Sequence, residues 1–205
     1  MDFRSPVQAL IPGAQGKILS VMTRAGEPLN LRTIAELAGV SAGQTSRVLG
    51  RLVGLGLVER RDVPPIALFR LLEGNLASQF VLQLTQLRRS FLDRAATSAL
   101  SIEPAPVNVT IFGSMARDQV GPESDIDLLV VRAAGTTPED DLWAKSLGMF
   151  EHEVETLAGN NLSVVEVAEE ELPELLTSSS ELWRQIRDEG IHLLGVPLSK
   201  TLGND

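Results

Sequence analysis

The sequence predicts an α/β fold, α+β in its looser arrangement, and three observations carry that prediction. Between Gly16 and Leu71, apolar residues recur at helical spacing in three successive segments and then give way to two short strands. From Val107 onward, strand and helix signals alternate. Within that second region two β-branched-rich runs are joined in an unusual way. Val109 to Phe112 ends at Gly113-Ser114, and Ser124-Asp125-Ile126-Asp127 opens the next run, Leu128 to Val131.

Taken in order, a short leader ends at Pro12-Gly13, and Gly16 to Ala25 is the first predicted helix, with Ile18, Leu19 and Met22 at helical spacing. Gly26-Glu27-Pro28 breaks it. Asn30 is the expected N-cap of a helix whose Leu31, Ile34, Leu37 and Ala38 make one apolar face. Gly39-Val40 ends that helix, Ser41 caps the next, and Val48, Leu49, Leu52, Val53 and Leu55 continue until Gly54 and Gly56 stop it. Leu57 to Leu71 reads as two short strands around a charged tip containing Pro64-Pro65. From Asn75 to about Leu100 one long helical stretch is expected, with Leu76, Phe80, Leu84, Leu87, Phe91 and Leu92 on its stripe. That stripe serves a dimer seam or packing on the second domain equally well. Ser101 to Pro106 cannot continue a helix. Beyond it the expected elements are strand 107–112, helix 114–119, strand 125–132, helix 138–157, strand 162–167, helices 169–176 and 180–189, and an apolar end segment 191–194. Residues 200–205 read as a frayed end.

With 205 residues the chain can bury a sizeable core in one domain or two small ones. No apolar run approaches the roughly 18 residues needed to span a bilayer, and no secretory signal opens the sequence, so a cytoplasmic protein without membrane contact is expected. The absence of cysteine excludes disulfides, thiolate zinc sites and thiol nucleophiles, and two histidines are too few for a histidine-rich metal site. Net charge is −9 but unevenly placed. Up to Gly74 nine basic residues face six acidic ones, a balance of +3, whereas the remainder holds nine against twenty-one, or −12. The first part suits contact with a polyanion; the second repels one unless cations or local arginines intervene.

A strand that ends in Gly-Ser and opens a helix aims backbone N–H groups and a hydroxyl at whatever sits above the sheet, and phosphate is the natural occupant. Glycine permits the close approach. Alternation along the next strand puts Asp125 and Asp127 on one face, roughly 7 Å apart. Two carboxylates so placed repel unless a cation lies between them, and Mg²⁺ is usually held by one or two carboxylates with phosphate oxygens. Read as strand-edge solubilisers the pair is costly. Glu151, Glu153 and Glu155 with His152 lie on consecutive helical positions facing different ways, so they read as solvated surface. Trp143 and Trp183 read as core residues.

These residues carry two resemblances. The helix, tight turn and helix around Ala38-Gly39-Val40-Ser41, followed by the strand pair, resemble the winged helix-turn-helix domain of bacterial transcription regulators over residues 13–73. That resemblance implies binding of double-stranded DNA, with Ser41, Gln44, Thr45, Arg47 and Arg51 on or near the exposed side of the recognition helix and Arg60 and Arg61 at the wing. A helical packing module without DNA is the alternative. The string Phe112-Gly113-Ser114-Met115-Ala116-Arg117, ending in Ser124-Asp125-Ile126-Asp127-Leu128-Leu129-Val130, resembles the nucleotidyltransferase superfamily that shares its palm with DNA polymerase β. It is similar in particular to the minimal nucleotidyltransferases, a subgroup containing antitoxins, although Asp118-Gln119 departs from that subgroup's usual Gly-Glu pair.

The second resemblance implies a mixed sheet flanked by helices and a Mg²⁺-dependent (or Mn²⁺-dependent) transfer of NMP from an NTP, with ATP and AMP expected, to a hydroxyl. Gly113, Ser114, Arg117 and Ser124 would hold the nucleotide. Asp125, Asp127 and a third carboxylate on a later strand would be the catalytic metal ligands. Glu166, the only acid inside the strand after the long helix, is the candidate, where aspartate is more usual; an ordinary solvent-facing role is an equal reading. Arg117 either binds phosphate or pairs with Asp118 or Glu123. The expected organisation is a winged-helix domain over 1–73, a linking helix over 74–104 and a nucleotidyltransferase domain over 105–205. Two functions follow: a DNA-tethered transferase, antitoxin-like with a toxin-like partner protein as acceptor, or a catalytically silent nucleotide-sensing transcriptional regulator. Homodimerisation is expected in either. An antibiotic-modifying enzyme fits less well, because no extra substrate domain is visible.

Overall fold

A computed structural model describes residues 1–198, so the expected frayed end at 200–205 lies outside the described residues. The chain divides into two compact units: residues 5–87, and residues 1–4 together with those from Arg88 onward.

The first unit opens with α1 (Pro6–Leu10), which was expected as leader, and α2 (Gly13–Arg24), whose Ile18, Leu19 and Met22 are buried. A two-residue strand β1 (Leu29–Asn30) leads into α3 (Leu31–Ala38). Asn30 is the N-cap, its side chain accepting from the Thr33 amide at 3.0 Å, and Gly39 closes the helix at φ 60, a left-handed conformation that glycine adopts without steric cost. α4 (Ala42–Gly54) starts from the Ser41 cap and buries Thr45, Leu49 and Leu52, spaced four and three residues apart. Strands β2 (Val58–Val63) and β3 (Ile66–Leu71) form an antiparallel pair turning at Pro64-Pro65, and β1 adds to the far side of β3. Leu37, placed by its spacing on the buried face of α3, is exposed; the core there is made by Ile34, Ala35 and Ala38.

The long helix expected from Asn75 to Leu100 is two helices, α5 (Leu76–Thr85) and α6 (Leu87–Ala99), which part at Gln86. The expected stripe holds in its second part, where Phe91 is buried and Leu84, Leu87 and Leu92 are half-buried, and fails in its first. Leu76 and Phe80 are exposed, Ser78 and Val81 are buried in their place, and in α6 Phe91, Ala95, Ser98 and Ala99 are buried.

The second unit holds a four-stranded mixed sheet. Its strands are β4 (Asn108–Phe112), β5 (Ile126–Arg132), β6 (Leu162–Ala168) and β7 (Ile191–Leu194), in the order β6-β5-β4-β7. β4 is antiparallel to β5 and to β7, while β5 and β6 are parallel, joined across α8 (Asp141–Ala158). Between β4 and β5 sits α7 (Gly113–Ala116), and between β6 and β7 come a 3₁₀ turn, α9 (Leu172–Thr177) and α10 (Glu181–Glu189). One face of the sheet presents Phe112, Leu129, Val131 and Val167 to Leu172, Leu176, Trp183 and Ile186 of α9 and α10. Ile126, Leu128 and Val130 alternate onto the opposite face and are fully buried there. Trp143, Leu147, Phe150 and Val154 are the buried positions of α8, and both tryptophans are core residues as expected. No helix among the described residues is long and apolar enough to cross a membrane.

Candidate functional site

The second unit's site is built where β4 ends beside the start of β5. Phe112 stands opposite Asp127 in the antiparallel register, so the turn that follows Phe112 lies against the Asp127 side chain. Gly113 has φ +66, and a Cβ on it would overlap the Asp127 carboxylate. Glycine is therefore required there twice over, by backbone conformation and by space. Ser114 follows on α7, half-buried, and its carbonyl receives the Gln119 amide at 2.8 Å. α7 ends early, with Asp118 at φ 59, so the helix expected over 114–119 is a single turn.

That turn is held by a residue the motif did not announce. Arg88 at the start of α6 donates from Nη2 to the Met115 carbonyl at 2.8 Å, which also accepts from the Asp118 amide at 3.3 Å, and to the Ala116 carbonyl at 3.2 Å, and its Nε lies 3.4 Å from Asp118. Arg117 pairs with neither Asp118 nor Glu123. Its Nη1 reaches Glu189 at 3.1 Å and Gln185 at 3.4 Å, both on α10. It still acts on Asp127, whose upward shift its charge partly offsets.

Asp125 precedes β5 and Asp127 lies inside it. Burial pushes the Asp127 carboxyl above the usual carboxylate range, and the Asp125 charge pushes it further. A divalent cation fits this pair: the donors are hard oxygens, and the repulsion that raises Asp127 is what a cation between them relieves. Among the described residues no group of three or more His, Cys, Asp or Glu side chains is placed to hold a metal, so phosphate oxygens would complete the coordination.

The turn leading into Asp125 is braced from behind. Asn160 is buried, and its Nδ2 donates to the Ser124 carbonyl at 2.8 Å and the Gly121 carbonyl at 3.1 Å. The Ser124 hydroxyl accepts from the Gly121 amide at 3.1 Å, so this expected nucleotide contact is engaged in its own turn. Asn160→Ala leaves two carbonyls short of a donor. A loss of about 1–3 kcal/mol in stability is expected, read from denaturant unfolding; unchanged stability would mean that the brace carries no energy.

Glu166 does not join the aspartates. The parallel register pairs it with Val130, on the face opposite Asp127, and its Oε1 accepts from Trp143 Nε1 at 3.1 Å and lies 3.1 Å from Arg132 Nε. The three-carboxylate cluster of Asp125, Asp127 and Glu166 is therefore corrected to a pair. Spacing along one strand identifies the acid, but the offset between β5 and β6 decides which face it takes. The residue of β6 in register with Asp127 is Ser163.

In the first unit, Gln44, Arg47 and Arg51 are exposed at spacings of three and four residues, one face of α4. Arg47 Nε contacts the Gly43 carbonyl at 3.3 Å, and Ser41 is engaged as the N-cap, accepting from the Gln44 amide at 3.3 Å. Thr45 is a correction. It is fully buried on the Leu49–Leu52 side, and its hydroxyl has no hydrogen-bond partner among the described residues, so it presents nothing to a ligand outside. Arg60 and Arg61 are exposed on β2, Arg60 paired with Asp62 at 2.9 Å.

Residues 11–65 match the family model of the MarR family, and residues 92–188 match that of the nucleotidyltransferase domain. No curated protein matches the chain. Solved structures similar to it include a mutant of the toxin–antitoxin MntA-HpeT, 17% identical over 54% of this chain and 78% of that one with a TM-score of 0.37. A toxin–antitoxin with AMP-PNP is 20% identical over 54% and 78%, with a TM-score of 0.36. RV1404 from Mycobacterium tuberculosis is 27% identical over 50% and 71%, with a TM-score of 0.35.

Proposed function

We propose, of a chain that joins a MarR-family winged-helix domain to a nucleotidyltransferase domain, that it is a DNA-binding regulator whose second domain binds a nucleoside triphosphate with Mg²⁺. The observation that carries this reading is the Asp125–Asp127 pair set against Gly113, while the expected third acid, Glu166, is spent on Trp143 and Arg132 across the sheet.

Asp125 and Asp127 would hold the cation, which neutralises phosphate charge. Gly113 lets phosphate oxygens approach the backbone, and the Ser114 hydroxyl and Arg117 are the donors beside them. Transfer to a hydroxyl also requires a base within hydrogen-bond reach of that hydroxyl. The face that carries Asp127 offers Ser163 and Val165 from β6, neither of which accepts a proton at neutral pH. Binding is thus better supplied than transfer. Transfer of AMP to a hydroxyl, with a partner protein as the acceptor, is the second reading, favoured by the retained aspartate pair.

On the DNA side, Gln44, Arg47 and Arg51 supply the helix contacts and Arg60 and Arg61 the wing contacts. Arg47→Ala and Arg51→Ala are each expected to weaken binding to a duplex carrying the chain's own upstream region and to reduce the salt slope by about one. Fluorescence anisotropy with and without ATP and Mg²⁺, alongside a pyrophosphate assay, tests the whole reading. A nucleotide-dependent change in DNA affinity without pyrophosphate supports it. Steady pyrophosphate release moves the conclusion to transfer, and unchanged DNA affinity in both arginine variants removes the DNA-binding part.

A further inference from the structure

We propose that Ser163 is the residue that withholds transfer chemistry from this site, and that a carboxylate at this position completes it. The proposal rests on the nucleotide-binding reading above. Ser163 and Asp127 are register partners in the parallel β5–β6 ladder. Neighbouring strands run about 4.8 Å apart and paired residues point to the same face, so the Ser163 side chain rises beside that of Asp127. It is exposed and makes no hydrogen bond to any described residue.

The flanks of Asp127 are unlike. On one side stand Phe112 and Gly113, where phosphates are received; on the other stands Ser163. In-line displacement puts the attacking and leaving oxygens on opposite sides of phosphorus. If the leaving phosphates lie toward Gly113 and Ser114, the acceptor enters from the β6 flank, where a base is needed and where this chain has a hydroxyl. Glu166 cannot deputise. It lies three residues farther along β6, roughly 10 Å, on the other face and engaged by Arg132 and Trp143.

With a carboxylate at position 163 the step balances. The acceptor oxygen, here that of water, bonds to the α-phosphorus, the bond to the bridging oxygen breaks, pyrophosphate leaves with that electron pair, and the water proton passes to the carboxylate. NMP and pyrophosphate are the products.

The test compares wild type, Ser163→Asp, Ser163→Glu and Ser163→Asn as full-length chains with ATP and Mg²⁺. A positioned general base contributes about 10²–10⁴-fold, so Ser163→Asp is expected to release pyrophosphate at least about 100-fold faster than wild type, and Ser163→Asn no faster. A second readout is independent of turnover. A third carboxylate beside two others lowers the melting temperature of the free protein, and Mg²⁺ alone raises it by more than it raises wild type. Ser163→Glu carries the same expectations in smaller degree and decides the matter if Ser163→Asp does not fold. Folded acidic variants that bind ATP but release no more pyrophosphate than Ser163→Asn overturn the proposal, as does a wild type already as fast as Ser163→Asp. Absence of ATP binding by wild type overturns the nucleotide-binding reading itself, and this proposal with it.

Discussion

Asp127→Asn is expected to weaken Mg²⁺-dependent ATP binding by about 100-fold or more, about 2.7 kcal/mol, while raising the melting temperature of the nucleotide-free protein. The two effects share one cause. Burial and the neighbouring Asp125 raise the Asp127 carboxyl above its ordinary value of 3.8. Between 3.8 and the raised value the folded state therefore binds more protons than the unfolded one, and stability falls as pH rises through that window. Above it, the ionised aspartate is a standing cost in the free protein, which asparagine removes and which a bound cation offsets. Thermal melts at several pH values, with and without ATP and Mg²⁺, separate these effects. At a nucleotide concentration near 100 times the wild-type Kd, wild type should gain about 2.7 kcal/mol and Asp127→Asn almost nothing. A variant that binds ATP within twofold of wild type would remove Asp127 from the site.

Glu166→Ala is expected to behave in the opposite way, losing about 3 kcal/mol of stability and leaving ATP affinity of the folded protein unchanged. The Arg132 side chain is 10% exposed and that of Glu166 26% exposed. Their charges lie 3.1 Å apart, although the Arg132 Nε contact lacks hydrogen-bond geometry and Nη1 has no partner among the described residues. Removing Glu166 leaves that guanidinium buried without a counter-charge and takes the acceptor from Trp143 Nε1. The double variant Glu166→Leu/Arg132→Met should recover much of the loss, because an apolar pair of similar volume has no charge to desolvate. Loss of ATP binding in folded Glu166→Ala would return this glutamate to the proposed nucleotide site.

The contrast between these two acids shows how far the sequence reaches. The place of Asp127 beside Gly113 was legible because the two strands are consecutive: Gly113 follows the last residue of β4, Asp127 is the second residue of β5, and the strands pair antiparallel across a short connection. Glu166 was misplaced because β6 joins the sheet only after an intervening helix of eighteen residues, and nothing local fixes the offset at which it meets β5. A shift of one residue would have put Glu166 on the other face. The same kind of phase decided Thr45, whose type suits a phosphate contact but whose position four residues before Leu49 turns it into the core.

By itself, then, the sequence determined the local devices: the caps at Asn30 and Ser41, the left-handed glycines, the tight turn before α4, and a Gly-Ser turn beside an Asp-x-Asp strand. Each depends on residues within a few positions of one another, where backbone geometry leaves little choice. Only the tertiary structure decided what stands next to Asp127 from across the sheet, which acid balances Arg132, and that Arg88 and Asn160 hold the two turns that precede the aspartates. Those outcomes depend on the register of a parallel strand pair and on the packing of helices far apart in the chain, which are set by burial of the whole core.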